Sequence, residues 1–171
     1  MRAAAYLLTA ILLAACATGG DLASANLGIA DIEQRMGQPV MRWHDADGGE
    51  TLVYPEGPQG YRTWFVRSDA SGRIIARQNV LAGEQFAKIQ PQMSEEEVLR
   101  LLGPPVPHWT IYYKARDELV WEWRYCNDWN EPARFNVMFD GTTRRVRSTY
   151  AASEDLRGIH GFSRFLGWCG R

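Results

Sequence analysis

The sequence is short of the residues on which enzymes most often rely. Among 171 residues there are three cysteines and three histidines, and His44, His108 and His160 fall in three separate segments. Neither Gly-x-Ser-x-Gly nor His-Glu-x-x-His occurs, and there is no glycine-rich phosphate loop or dinucleotide fingerprint. Excess charge is missing too. Nineteen Lys and Arg stand against 20 Asp and Glu, so the basic surplus that neutralises nucleic-acid phosphates is not there. The uncharged apolar run at residues 3–15 stops short of the ~20 residues a membrane-spanning helix needs, and no other stretch comes nearer. The remaining acids have local uses: Glu95, Glu96 and Glu97 suit the positive end of a helix, and Asp69 and Asp140 suit strand-to-turn positions. The chain therefore reads as non-enzymatic, without nucleic acid, cofactor or metal.

What is present begins with an export signal. Met1-Arg2 is a short positive start, the run at 3–15 has the length of a signal-peptide core, and Leu13-Ala14-Ala15-Cys16 follows. This tetrapeptide resembles the lipobox of bacterial lipoproteins. The resemblance implies cleavage before Cys16, acylation of its sulfur and its new amine, and a covalent lipid as the one attached group. Three acyl chains at ~0.8 kcal/mol per buried CH₂ hold a protein to a membrane almost permanently. By the same resemblance, Ala17 in place of Asp implies delivery to the outer membrane, on its periplasmic face. Residues 1–15 are then signal peptide and 16–25 a lipidated tether. With Cys16 removed, Cys126 and Cys169 remain as an even pair in an oxidising compartment, which predicts a disulfide contributing about 4 kcal/mol on the chain-entropy model. A zinc site using both with His160 matches no known ligand spacing.

The mature chain repeats itself. Ser94 with Glu97 makes a capping box, Met93 and Val98 a hydrophobic staple, Val98, Leu101 and Leu102 an apolar stripe, and Gly103 before Pro104-Pro105 a stop. In the earlier copy Gly28 caps, Leu27 and Ile32 form the staple, Ile32 and Met36 the stripe, and Gly37 the stop. Period-two runs follow both helices: 51–54, 63–69 and 73–78 in one copy, 118–125, 134–140 and 144–150 in the other. The fold class is α+β, two tandem units of a short helix or helix pair on an antiparallel sheet of about three strands. The units span 26–80 and 93–151, with a linker at 81–92 holding at most one helical turn and a glycine-rich tail at 152–171.

Met93, Ser94, Glu97, Val98, Leu102, Gly103 and Pro105, then Trp121, Tyr125, Phe135, Val137, Phe139 and Asp140, form a pattern that resembles the SmpA/OmlA (BamE-like) outer-membrane lipoprotein family. Residues 27–78 match it more faintly, through Gly37, Pro39, Tyr54, Val66, Asp69 and Gly72. The resemblance implies an accessory or scaffold role in β-barrel protein assembly or envelope integrity, with envelope proteins as partners. The tandem shape also resembles the β-lactamase inhibitor protein, which implies an alternative role: holding a periplasmic enzyme between the two units. An internal apolar cavity would favour a third role, that of a lipid or small-ligand carrier.

Aromatic residues supply the candidate binding site. Trp121, Trp123 and Tyr125 alternate onto one face of a strand, with Trp109 before them and Arg124 beside them. A sheet face of Trp, Tyr and Arg open to solvent is a protein-binding surface; the same residues packed on Leu101 and Leu102 are core.

Overall fold

The computed structural model describes residues 27–155 and Cys169. The expectations for residues 1–25, including the lipid anchor at Cys16, lie outside the described residues. The architecture is α+β, with two four-stranded antiparallel sheets.

Helix α1 (Ile29–Met36) is followed by β1 (Met41–His44), β2 (Glu50–Pro55), β3 (Thr63–Ser68) and β4 (Ile74–Asn79), paired in that order. A short α2 (Gly83–Phe86) precedes α3 (Glu95–Leu102), after which β5 (Ile111–Tyr113), β6 (Glu118–Cys126), β7 (Pro132–Asp140) and β8 (Val146–Ser153) form the second meander. Each sheet therefore has four strands where three were expected. The additional ones, β1 and β5, are the shortest of the described strands. The last strand also runs to Ser153, into the expected tail.

The repeat holds down to single contacts. Gly28 bridges Arg73 and Ser94 bridges Arg145, so each helix starts against the same point of its own sheet. At α3 the capping box forms: Ser94 N–H donates to Glu97 Oε2 at 2.7 Å and Glu97 N–H to Ser94 Oγ at 3.3 Å. Gly28 lacks a side chain to match it, and there only the reverse bond is made, from Gly28 N–H to Asp31 Oδ2 at 2.8 Å.

Packing explains why the helices are amphipathic. Ile32 of α1 meets Leu52, Tyr54, Val66 and Ile74 on one face of the first sheet. Strand alternation turns Trp43, Val53, Thr63 and Phe65 to the other face, which is covered by the second unit: Phe65 joins that unit's core and the Arg100 guanidinium of α3 sits 4.9 Å from the Trp43 ring centre. On its far side α3 buries Val98 and Leu102 against the second sheet. The layers run α1, first sheet, α3, second sheet. The stretch expected as a linker is part of this core, since Leu81, Phe86 and Ile89 are buried in it, beside Val80, and Phe86 stacks on Phe135 at 4.0 Å.

Gly37 and Gly103 end their helices in the same backbone region, φ +80°, ψ −171° and φ +71°, ψ −170°. That region is open essentially to glycine alone, at about 1–3 kcal/mol for other residues. Their surroundings differ. A Cβ on Gly37 meets nothing within 4 Å, whereas one on Gly103 comes to 2.9 Å from Thr63 Cγ2 and 3.0 Å from Val53 Cγ1. Gly37→Ala is predicted to cost ~1–3 kcal/mol and Gly103→Ala distinctly more, read as melting-temperature drops on the two variants. Equal drops would mean that the first sheet does not press on α3.

Candidate functional site

The register of β6 decides which aromatic face is inside. Leu119, Trp121, Trp123 and Tyr125 pair across to Phe139, Val137, Phe135 and Ala133, and this set turns toward α3. Trp123 is 1% exposed and donates its indole N–H to the Gly103 carbonyl at 3.3 Å; Trp121 is 8% exposed against Phe139. Tyr125 is half-buried, edge-on to Phe86. The face expected to meet a partner through Trp121, Trp123 and Tyr125 is therefore the core, with Trp123 providing the polar link between sheet and helix end.

Arg124 lies on the opposite, outer face, where it is the centre of a buried ion network. Glu154, fully buried, accepts from Arg124 Nη2 at 2.7 Å and Nε at 2.8 Å, and from Arg134 Nε at 2.8 Å. Arg134 also pairs with Glu122 and stacks over Trp109 at 3.6 Å. Arg124 Nη1 reaches into the first unit, donating to the Pro58 carbonyl at 3.2 Å, while its guanidinium lies 4.6 Å from the Tyr61 ring centre. Arg124 and Trp109, expected in a binding surface, instead tie together the outer face, the end of β8 and the loop after β2. Burial pushes the Glu154 carboxyl upward, but hydrogen bonds from Arg124 and Arg134 outweigh it and hold it below the usual carboxylate range.

The disulfide joins Cys126 to Cys169, with Cα atoms 6.0 Å apart. Cys169 N–H donates to the Asn130 carbonyl at 2.9 Å, so it is held against the turn after β6. Asp69 and Asp140 are turn acids in both units. Asp69 accepts from the Ser71 hydroxyl and from Ser71 and Arg73 N–H, and Asp140 from Thr143 and Thr142 N–H and from Arg147. These bonds, led by the Ser71 hydroxyl for Asp69 and the Thr143 backbone for Asp140, hold each carboxyl at about 2. His44 and His108 are exposed, and His160 lies outside the described residues. Among the described residues no group of three or more His, Cys, Asp or Glu is placed to hold a metal.

Three exposed apolar side chains lie elsewhere on the same outer face. Ile111 and Tyr113 of β5 and Tyr150 of β8 are 45%, 41% and 56% exposed. Tyr113 and Tyr150, with Val120 and Met138, border an open hollow of about 420 Å³, which Arg116, Glu118 and Asn136 rim with polar groups, and Ile111 pairs with Val120 beside it. Tyr112 and Trp129 are exposed nearby in chain order. Tyr112, Tyr113 and Trp129 stand out in the sequence as aromatics flanking β6; Ile111 and Tyr150 do not. Three consecutive large residues, Ile111-Tyr112-Tyr113, on an edge strand are the available signal, because period two cannot bury all of them.

Removing the Glu154 charge leaves Arg124 and Arg134 without their shared acid, so Glu154→Gln is predicted to cost ~3–5 kcal/mol in chemical denaturation at neutral pH. Because the folded-state pKa is depressed, this stabilisation is present above the unfolded-state value and is lost as pH falls through the lower folded one. The gap between the native chain and Glu154→Gln should therefore narrow on acidification below the ordinary glutamate range. A constant gap would count against the network. Comparison with known families, curated proteins and solved structures returns no match for this chain.

Proposed function

We propose that the protein is an exported, lipid-anchored module at the periplasmic face of the outer membrane that binds other envelope proteins, acting as a non-enzymatic accessory or scaffold in β-barrel assembly or envelope integrity. The observation that carries the binding half is the pair of exposed tyrosines, Tyr113 and Tyr150, on either side of an open hollow with a polar rim, with exposed Ile111 on the same edge strand as Tyr113. Exposed large apolar side chains around a concave surface mark interaction sites, and Tyr is among the residues enriched at protein interfaces. The anchor half rests on the run at 3–15 and on Leu13-Ala14-Ala15-Cys16. The barrel-assembly setting rests on the family resemblance alone. The inhibitor reading needs a cleft between the units, but α3 fills that space and leaves a hollow of about 290 Å³, room for a side chain or small molecule and not for an enzyme loop.

The test is affinity purification of the intact chain from detergent-solubilised envelopes, beside Cys16→Ser and the surface variant Ile111→Asp/Tyr150→Asp. Enrichment of envelope or barrel-assembly proteins by the intact chain, lost in the surface variant, is the expected result. Recovery of a single soluble enzyme, or of nothing above the Cys16→Ser background, would overturn it.

A further inference from the structure

Two hollows on opposite faces of the first sheet share Val40 and Pro55 in their linings. The first, about 290 Å³, lies between the units, with Leu81, Pro104, Val106 and Trp123 in its wall. Two of its polar side chains are already used: Arg124 on Glu154 and the Pro58 carbonyl, Trp123 on the Gly103 carbonyl. Four of its lining residues, Pro55, Pro104, Pro105 and Pro107, have no N–H to offer. A peptide seated there would find no donor for its carbonyls on these four residues, a cost a hydrocarbon does not incur.

The second hollow, about 350 Å³, has the opposite chemistry. Tyr54 lines it, 7% exposed, and its hydroxyl has no hydrogen-bond partner among the described residues. A buried donor without an acceptor is rare in native proteins. Beside it the Arg77 guanidinium lies 3.7 Å from the Trp64 ring centre and makes no ion pair among the described residues. Arg62 stands 5.7 Å from the same ring, and Glu56 accepts from the Trp64 indole N–H at 2.8 Å, so two cations and one carboxylate surround the indole. Glu33, whose charge acts on Tyr54, is held by Arg42.

We propose that these hollows form one groove for a single-chain amphiphile, a fatty acid in chemical class. The hydrocarbon tail lies between Leu81, Val106 and Trp123 and bends past Val40; the carboxylate accepts from the Tyr54 hydroxyl and pairs with Arg77. The volumes suit a medium-length chain, the first hollow lying near the ~300 Å³ lower end of ligand pockets. This site is independent of the protein-binding strip.

Isothermal titration of sodium dodecanoate and of 1-dodecanol, below micelle-forming concentration, tests it on the full chain carrying Cys16→Ser, which keeps detergent out of the cell. Val40 is 64% exposed, so Val40→Asp places a charge at the bend without opening the core. It should weaken both probes about tenfold, whereas Arg77→Gln should weaken dodecanoate about tenfold and leave dodecanol unchanged, tenfold being ~1.4 kcal/mol. Circular dichroism melts confirm that both variants stay folded. Absent saturable binding, dodecanoate affinity that either substitution leaves unchanged, or equal loss of both probes in Arg77→Gln overturns the proposal.

Discussion

Everything in this molecule is arranged around one helix held between two sheets. Helix α3 buries Val98 and Leu102 on the second sheet, while its end at Gly103 comes close enough to Thr63 and Val53 of the first that no side chain fits between. The Gly103 carbonyl then takes the Trp123 indole N–H. A single residue thus ends the helix, seats one sheet and receives a hydrogen bond from the other. Arg124, next to Trp123 but on the opposite face of its strand, makes the second tie between the units through the Pro58 carbonyl. The relative placement of the units rests on these contacts and on the apolar side chains of 80–89.

Much of the fold was legible because its signals are local. The Ser94–Glu97 box, the staple residues and the two glycine stops fix both helices from short-range chemistry, and the long strands β6 and β7 alternate over enough residues to show their period. Strands β1 and β5 escaped because four and three residues contain too little alternation to register. The stretch 81–92 reads as a linker for a related reason: Leu81, Phe86 and Ile89 follow no single period, and they are buried by tertiary packing that propensity does not encode.

The candidate site was less legible. Alternation separates Trp121 and Trp123 from Arg124, but two faces of a strand look alike until something is known to cover one of them. Here α3 covers the tryptophans, and the outer face keeps an ion network at one end and Ile111, Tyr113 and Tyr150 at the other. Glu154 belongs to that network although it lies 30 residues from Arg124, a separation at which a lone acid near a strand end gives no signal. The unpartnered Tyr54 hydroxyl is equally silent in sequence, since a missing hydrogen bond is a property of its surroundings.

The stacking of the two units has a consequence for how such a molecule ends. The second unit covers the first with its helix, and the two surfaces in contact are different ones, so the arrangement is head-to-tail and does not close on itself. Any array built this way finishes with a sheet that no following helix caps. Among the described residues the outer face of the second sheet carries the short helical turn Pro107–Trp109, whose Trp109 lies under Arg134, and no helix as long as α1 or α3. The repeat thereby gives the first sheet a lid from within the chain, supplied by the helix of the second unit.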